Sequence, residues 1–288
     1  WDDLERYRSG LPVLAREGLW AYRVRKFARR HRVGVVAAGI IGLVLAGSSV
    51  ILASQRAETI RQRDRATEAA LLATAEAENS QMVINFLADV FRGRNPGQAP
   101  SDTLTARELL EWGTERVETE FATRPAVQAS LFLVLGNAHH NLGLLDEGVG
   151  LLERSVALRR GVFGEDSGEL AEALLALGGV HRNNRDFSYA LIPLREALDI
   201  RRAAPVEDEV ELAAALEALG MVVRDTQQPD SAELLLREAL EIRTRYPHME
   251  AEYAGTTLIL AYVLRGLGKL DEAAAHYEVG IPRYRSLP

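Results

Sequence analysis

Leu170-Ala171-Glu172-Ala173-Leu174-Leu175-Ala176-Leu177-Gly178, followed after a turn by Asp186-Phe187-Ser188-Tyr189-Ala190-Leu191 and Arg195-Glu196-Ala197-Leu198, is one copy of a pattern that occurs four times. Leu170, Leu174, Leu177 and His181 stand four, three and four residues apart and therefore share one helix face. The pairs Leu135-Gly136, Leu177-Gly178, Leu219-Gly220 and Leu260-Ala261 recur at steps of 42, 42 and 41 residues. Twelve residues after each pair comes a small residue: Gly148, Ala190, Ala232 and Ala273. A fixed period of this size marks stacked helical hairpins, each too small to bury its own apolar face. The expected fold is all-α, an elongated solenoid, and function is expected in binding and not in catalysis.

These small residues, with Ser155, Ala197, Ala239 and Gly280 in the second helices, resemble the tetratricopeptide repeat. The usual period of that family is ~34 residues. The longer units here, extended through segments such as Phe163 to Gly168 and Pro205 to Asp208, are similar to the kinesin-light-chain type. The resemblance implies that the end of each first helix lines a concave groove. The slot four residues after each Gly of the repeat pair, or after Ala261, holds His140, Arg182, Arg224 and Arg265, with Asn137, Asn141 and Asn183 beside them. Such a row suits an extended peptide or its carboxylates. It equally fits a solvated helix face in an arginine-rich chain.

No catalytic set can be assembled. Cysteine is absent, which removes disulfides, thiolate metal sites and thiol nucleophiles. His139-His140 points in two directions on a helix, and His139 and His181 fill the apolar slot of Val223 and Leu264, so packing is expected in place of a metal site. Glu165, Asp166, Glu207, Asp208 and Glu209 fall on inter-repeat segments and read as solvated turns. No cofactor or metal is expected.

Val33 to Ala53 is 21 residues without a charge and is expected to be a transmembrane helix. Seven basic residues crowd its N-terminal flank, from Arg16 to Arg32, against four on the other side. The positive-inside rule then places residues 1–32 in the cytoplasm and the repeats on the other side of the membrane. Residues 1–32 carry a net charge of +5 and residues 54–288 one of −12, so the basic segment is expected at a membrane surface, and nucleic acid is not expected as a partner. Gly34, Ala38, Gly42 and Ala46 step by four along the same helix, a seam suited to a homodimer.

Residues 54–81 read as a helical stalk, 82–125 as a degenerate capping hairpin with its loop at Gly93 to Thr103, and 126–288 as the four repeats. The capping helix carries the stripe Met82, Val83, Phe86, Leu87, Val90 and Phe91. Leu110 in its partner helix precedes Leu152 by 42. The opening Trp1 to Val13 and Tyr22 to Arg32, together with Phe86 to Phe91 and Thr105 to Leu110, resemble bacterial receptor-like serine/threonine protein kinases, in which tetratricopeptide repeats follow a membrane span. That resemblance implies a post-kinase fragment anchored in the bacterial inner membrane, in keeping with a start at Trp1 and with Pro282 inside the expected last helix. The kinase chemistry itself is not in these residues: Lys26 and Lys269 are the only lysines. His181-Arg182-Asn183 and Asp186-Phe187-Ser188 mimic kinase triplets at the wrong spacing. The expected function is the interaction and sensor region of such a kinase, binding a protein or peptide. The alternative is a stand-alone membrane-tethered repeat protein that assembles envelope complexes.

Overall fold

The structure, a computed structural model, describes residues 1–9, 20–91, 105–204 and 209–287. It divides into two compact units, residues 1–75 and 76–288. The loop at Gly93 to Thr103, Arg16, and the inter-repeat residues Glu207 and Asp208 lie outside the described residues.

The first unit holds α1 (Asp2–Arg8), α2 (Trp20–Arg30) and the start of α3 (Arg32–Phe91), a single helix of 60 residues. From Ser54 onward α3 contains neither Gly nor Pro, and nothing in its sequence interrupts the hydrogen-bond ladder. Thr59 and Thr67 turn their hydroxyls back onto the carbonyls of Gln55 and Arg63, which satisfies them within the helix.

The expected transmembrane helix is corrected here. Among the described residues no helix is long and apolar enough to cross a membrane. The placement in the bacterial inner membrane, with its division into cytoplasmic and outer parts, falls with it. From Val33 to Ala53 ten residues are Gly, Ala or Ser and eleven are Val, Ile or Leu. The segment is also continuous with the charged remainder of α3 and does not form an element of its own. The side-chain surroundings of Ala38 and Gly42, central to the proposed dimer seam, lie outside the described residues.

The second unit is an all-α solenoid. The end of α3 packs with α4 (Ala106–Glu120) and α5 (Pro125–Asn141), burying Phe86, Val90, Leu110, Val117, Leu131, Phe132 and Leu135 in one cluster. A capping box opens α4: Thr105 Oγ1 accepts from the Glu108 amide at 3.2 Å, and the Thr105 amide donates to Glu108 Oε2 at 2.8 Å. Four hairpins follow. They are α5 with α6 (Leu145–Phe163), α7 (Gly168–Asn183) with α8 (Phe187–Ala203), α9 (Glu209–Asp225) with α10 (Pro229–Thr244), and α11 (Glu250–Gly266) with α12 (Leu270–Arg285). Leu135, Leu177, Leu219 and Leu260, the first members of the repeated pairs, are all buried. The small residues face them. A Cβ on Gly148 would come within 2.9 Å of the Gly136 carbonyl, so only glycine lets α5 and α6 approach this closely.

All four hairpin turns share one geometry. The amides of Gly143, Arg185, Gln227 and Gly268 donate to the carbonyls of His140, Arg182, Arg224 and Arg265 at 2.9–3.1 Å. The next amides, of Leu144, Asp186, Gln228 and Lys269, reach back to His139, His181, Val223 and Leu264 at 2.8–3.1 Å. These are Schellman caps, which require a left-handed residue just past the helix end. Gly143, Arg185, Gln227 and Gly268 supply it, with φ of 78°, 69°, 62° and 77°.

Successive repeats are tied by charged groups that the spacing of apolar residues does not show. Arg159, Arg201 and Arg243 stand 42 residues apart near the ends of α6, α8 and α10. Arg159 donates to the Glu169 carbonyl and to Glu172 Oε2 at 2.6 Å, both on the next repeat's first helix. Arg243 donates to the Glu252 carbonyl at 2.9 Å and also to Thr256 and Glu217. Arg201 instead turns back to the Gly168 carbonyl at 3.0 Å. Arg159 and Arg243 are buried, with side chains only 5% exposed.

A second tie sits between the last two hairpins. Glu233 on α10 is buried and accepts from Lys269 Nζ through both oxygens at 2.7 Å, and from Arg237 at 2.9 Å. Burial pushes the Glu233 carboxyl up, but hydrogen bonds and charge from Lys269 and Arg237 outweigh it and hold the group below its ordinary 4.5. A carboxyl lowered in the folded state stabilises the fold above its unfolded value, and that contribution disappears as pH falls through the folded value. The urea midpoint is therefore expected to drop below pH 4.5. Glu233→Gln should be less stable at neutral pH and lose less on acidification. Parallel acid limbs in the two proteins would show that Glu233 has no part in it.

Candidate functional site

The basic row has a structural cause before it has a functional one. His140, Arg182, Arg224 and Arg265 each supply the carbonyl that accepts the turn amide, so each lies in the last turn of its helix. A cation there interacts favourably with the negative end of the helix dipole. Periodicity alone therefore does not mark these residues as a binding site; what their side chains converge on does.

The structure brings candidate residues together in two places. His140 and Asn183 meet, with Asn183 Nδ2 donating to His140 Nε2 at 3.3 Å. Asn137 is half-buried on α5, and Asn141 is exposed at that helix's end. The larger gathering lies one repeat further on. Arg182, Asn183 and Arg224 line a cleft of about 510 Å³ together with Arg185, Phe187, Asp225, Gln227 and Tyr262. It is built at the ends of α7 and α9, the turns after them, the first residue of α8, and α11.

Asp225 organises the floor of the cleft. Its Oδ1 accepts from Arg224 Nε at 2.9 Å and from the terminal nitrogen at 2.7 Å, while Oδ2 lies 3.6 Å from Arg182 Nε. One carboxylate thus serves two guanidinium groups from adjacent repeats. The contact repeats the relation of His140 to Asn183, since Arg182 and Asp225 are also 43 residues apart. Arg182 further donates to Met221 Sδ at 3.3 Å. Tyr262 forms the wall: the guanidinium groups of Arg224 and Arg265 lie 5.3 and 4.9 Å from its ring centroid, within cation–π range. Arg265 is exposed at this edge. With Arg182, Arg185 and Arg224 against Asp225, the lining keeps an excess of positive charge in a unit that is acidic overall.

Sequence reasoning missed Asp225, Tyr262, Arg185 and Gln227. Asp225 occupies the slot of Asn141 and Asn183, and a comparison of repeats would have shown it as the charged member. Tyr262 occupies the slot of Asn137, Gly179 and Met221, a position with no common chemistry and so no periodic signal. Arg185 and Gln227 stand out only once backbone angles are known. They are the non-glycine residues with positive φ among those described, and the left-handed region costs an L-residue on the order of 1 kcal/mol.

His139 is packed as expected, 2% exposed, with Nδ1–H donating to the Leu135 carbonyl at 2.8 Å. His181 departs from the apolar-slot reading. It is half-buried, and its ring stacks on that of exposed Tyr189 at 5.7 Å between centroids. The slot of Tyr189 holds Ser231 and Glu272 in the later repeats, which offer no ring to stack on. The triplet Asp186-Phe187-Ser188 occupies the N-cap position and the first turn of α8. Glu165 pairs with Arg160, and Glu209 accepts from Arg245 at 3.0 Å and from the Tyr246 hydroxyl at 3.2 Å, which makes these carboxylates structural.

Tetratricopeptide repeat family models match residues 127–203 and 212–246. These residues are tetratricopeptide repeats. The cleft spans the second and third hairpins, which these models match over most of their length, and Tyr262 of the fourth hairpin, which they do not reach. No curated protein matches the chain. Several solved structures share its fold. BtubC (BKLC) from P. vanneervenii is 19% identical, with a TM-score of 0.54 over 62% of this chain and 72% of that one. A putative kinesin light chain from Podosopora anserina with nearly identical tetratricopeptide-like repeats is 17% identical, with a TM-score of 0.55 over 71% and 93%. A Rap protein complexed with Competence and Sporulation Factor is 15% identical, with a TM-score of 0.51 over 62% and 49%. The tetratricopeptide hairpins and the kinesin-light-chain likeness of the fold agree with the repeat reading of the sequence.

Proposed function

We propose that this chain is an interaction scaffold whose tetratricopeptide repeats bind an extended acidic segment of a protein or peptide in the cleft between Arg182 and Tyr262. The observation that carries this reading is the convergence of Arg182, Arg185 and Arg224 from different elements on one open cleft walled by an aromatic ring. A carboxylate on the ligand would share the Arg182–Arg224 fork with Asp225 or displace it, and Tyr262 offers apolar area to the segment's side chains. The acidic balance of residues 54–288 opposes anionic ligands at long range, so binding depends on short, directed hydrogen bonds.

The test is direct. Fluorescence anisotropy of a labelled oligoglutamate peptide should show binding to the full chain. Arg182→Ala with Arg224→Ala should weaken it at least tenfold, about 1.4 kcal/mol. Circular dichroism should remain unchanged, because neither residue belongs to the buried Leu-Gly face. A folded double variant with wild-type affinity removes the cleft as the binding site.

The finer reading makes this scaffold part of a serine/threonine protein kinase. It is supported by the likeness of Trp1 to Val13 and Tyr22 to Arg32 to the segment that follows such kinase domains. Sequence upstream of Trp1 in the source gene decides it: a catalytic-loop aspartate and a metal-binding aspartate support it, and their absence removes it.

A further inference from the structure

The four Schellman turns place the same demand on one residue each, and they meet it differently. Gly143 and Gly268 adopt the left-handed conformation without steric penalty, whereas Arg185 and Gln227 carry side chains there, at φ of 69° and 62°. These two side chains both line the basic cleft. Neither is explained by packing, since both are exposed. Their backbones are already satisfied by the turn hydrogen bonds, which glycine would make equally well.

We propose that Arg185 and Gln227 are ligand-contacting residues, held in a left-handed conformation at the expense of stability because the cleft uses their side chains. The inference rests on the proposed binding of an acidic extended segment and assigns two contacts to it. Arg185 supplies a planar fork for a ligand carboxylate beyond the one that competes with Asp225. Among the described residues it has no ion pair, so an incoming acid need not break one. Gln227 has an amide that both donates and accepts, the pairing an extended peptide backbone offers at each residue. Strained residues cluster where a function holds them in place, and here the inference runs from two observed angles to the site they border.

The experiment uses the full chain with Arg185→Gly and Gln227→Gly, made singly. Each should raise the urea midpoint, because glycine relieves the backbone, and each should weaken binding of the labelled oligoglutamate by about fivefold. Gln227→Gly is the sharper arm: it leaves net charge unchanged, so its loss of affinity cannot come from long-range attraction. Gln227→Asn, which tolerates the left-handed region but reaches less far, should bind at an intermediate strength. Stabilised glycine variants with wild-type affinity overturn the inference, as do glycine variants that are no more stable than wild type. If Arg182→Ala with Arg224→Ala abolishes binding while the glycine variants bind normally, this inference alone fails. If the wild-type chain does not bind the probe, the inference fails together with the acidic-ligand reading.

Discussion

Replacing Arg243 by alanine is expected to lower the unfolding free energy by about 3 kcal/mol, the lower end of the range for breaking a buried ion pair. The Arg243 side chain is 5% exposed and reaches Glu217 on α9, with the Glu252 carbonyl and the Thr256 hydroxyl on α11. Alanine removes these bonds at once and leaves Glu217, itself only 20% exposed, without its counter-charge. The loss also crosses a repeat boundary. In a solenoid, stability is a sum of repeat terms and nearest-neighbour terms, so weakening the tie between the third and fourth hairpins should free the last one first. Hydrogen exchange should show α11 and α12 opening at lower denaturant than α5 to α8. Arg243→Met with Glu217→Gln should recover a large part of the loss, because no unpaired charge then remains buried. Wild-type stability in Arg243→Ala would mean that water replaces the guanidinium without cost and that the buried arginine is not a clasp.

Two adjacent glycines are expected to respond to alanine with opposite signs. A Cβ on Gly178 would lie 2.6 Å from Leu194 Cδ2 and 3.2 Å from Cδ1, and Leu194 is fully buried in α8. Overpacking of this kind costs about 1–3 kcal/mol. Alanine's better helix propensity offsets about 1 kcal/mol of it, so Gly178→Ala should be destabilised by up to about 2 kcal/mol. A Cβ on Gly179 meets nothing within 4 Å. Gly179→Ala should therefore gain about 0.5–1 kcal/mol from the helix alone. Thermal unfolding of the two variants reads the contrast directly. If Gly178→Ala is as stable as Gly179→Ala, the hairpin is looser than the approach of α7 to α8 requires.

The Leu-Gly register was legible because every repeat solves the same local problem. A large apolar residue must face the core and a small one must admit the partner helix, and burial of Leu135, Leu177, Leu219 and Leu260 follows from spacing alone. The stripe on the capping helix was legible for the same reason, with Phe86 and Val90 buried. The membrane span was misread because an uncharged stretch was taken as an element of its own, whereas it runs on into the charged remainder of α3. Part of the cleft was visible too. The slot holding Arg182 and Arg224 could be counted along the chain, although the helix dipole accounts for a basic residue there without any ligand.

By itself, then, the sequence determined the all-α hairpin repeat, its period, its core face and the small residues that set helix approach, because each leaves the same residue pattern in every unit of about 42 residues. Only the tertiary structure decided which polar residues act together. Arg159 and Arg243 look solvated until the next repeat's first helix is laid over them. Asp225 becomes a bridge only when Arg182 of the preceding repeat comes within 3.6 Å. Arg185 and Gln227 resemble ordinary turn residues until their positive φ is known. The physical reason is that these partners meet across a repeat boundary, or depend on a backbone angle, and the spacing of apolar residues records neither.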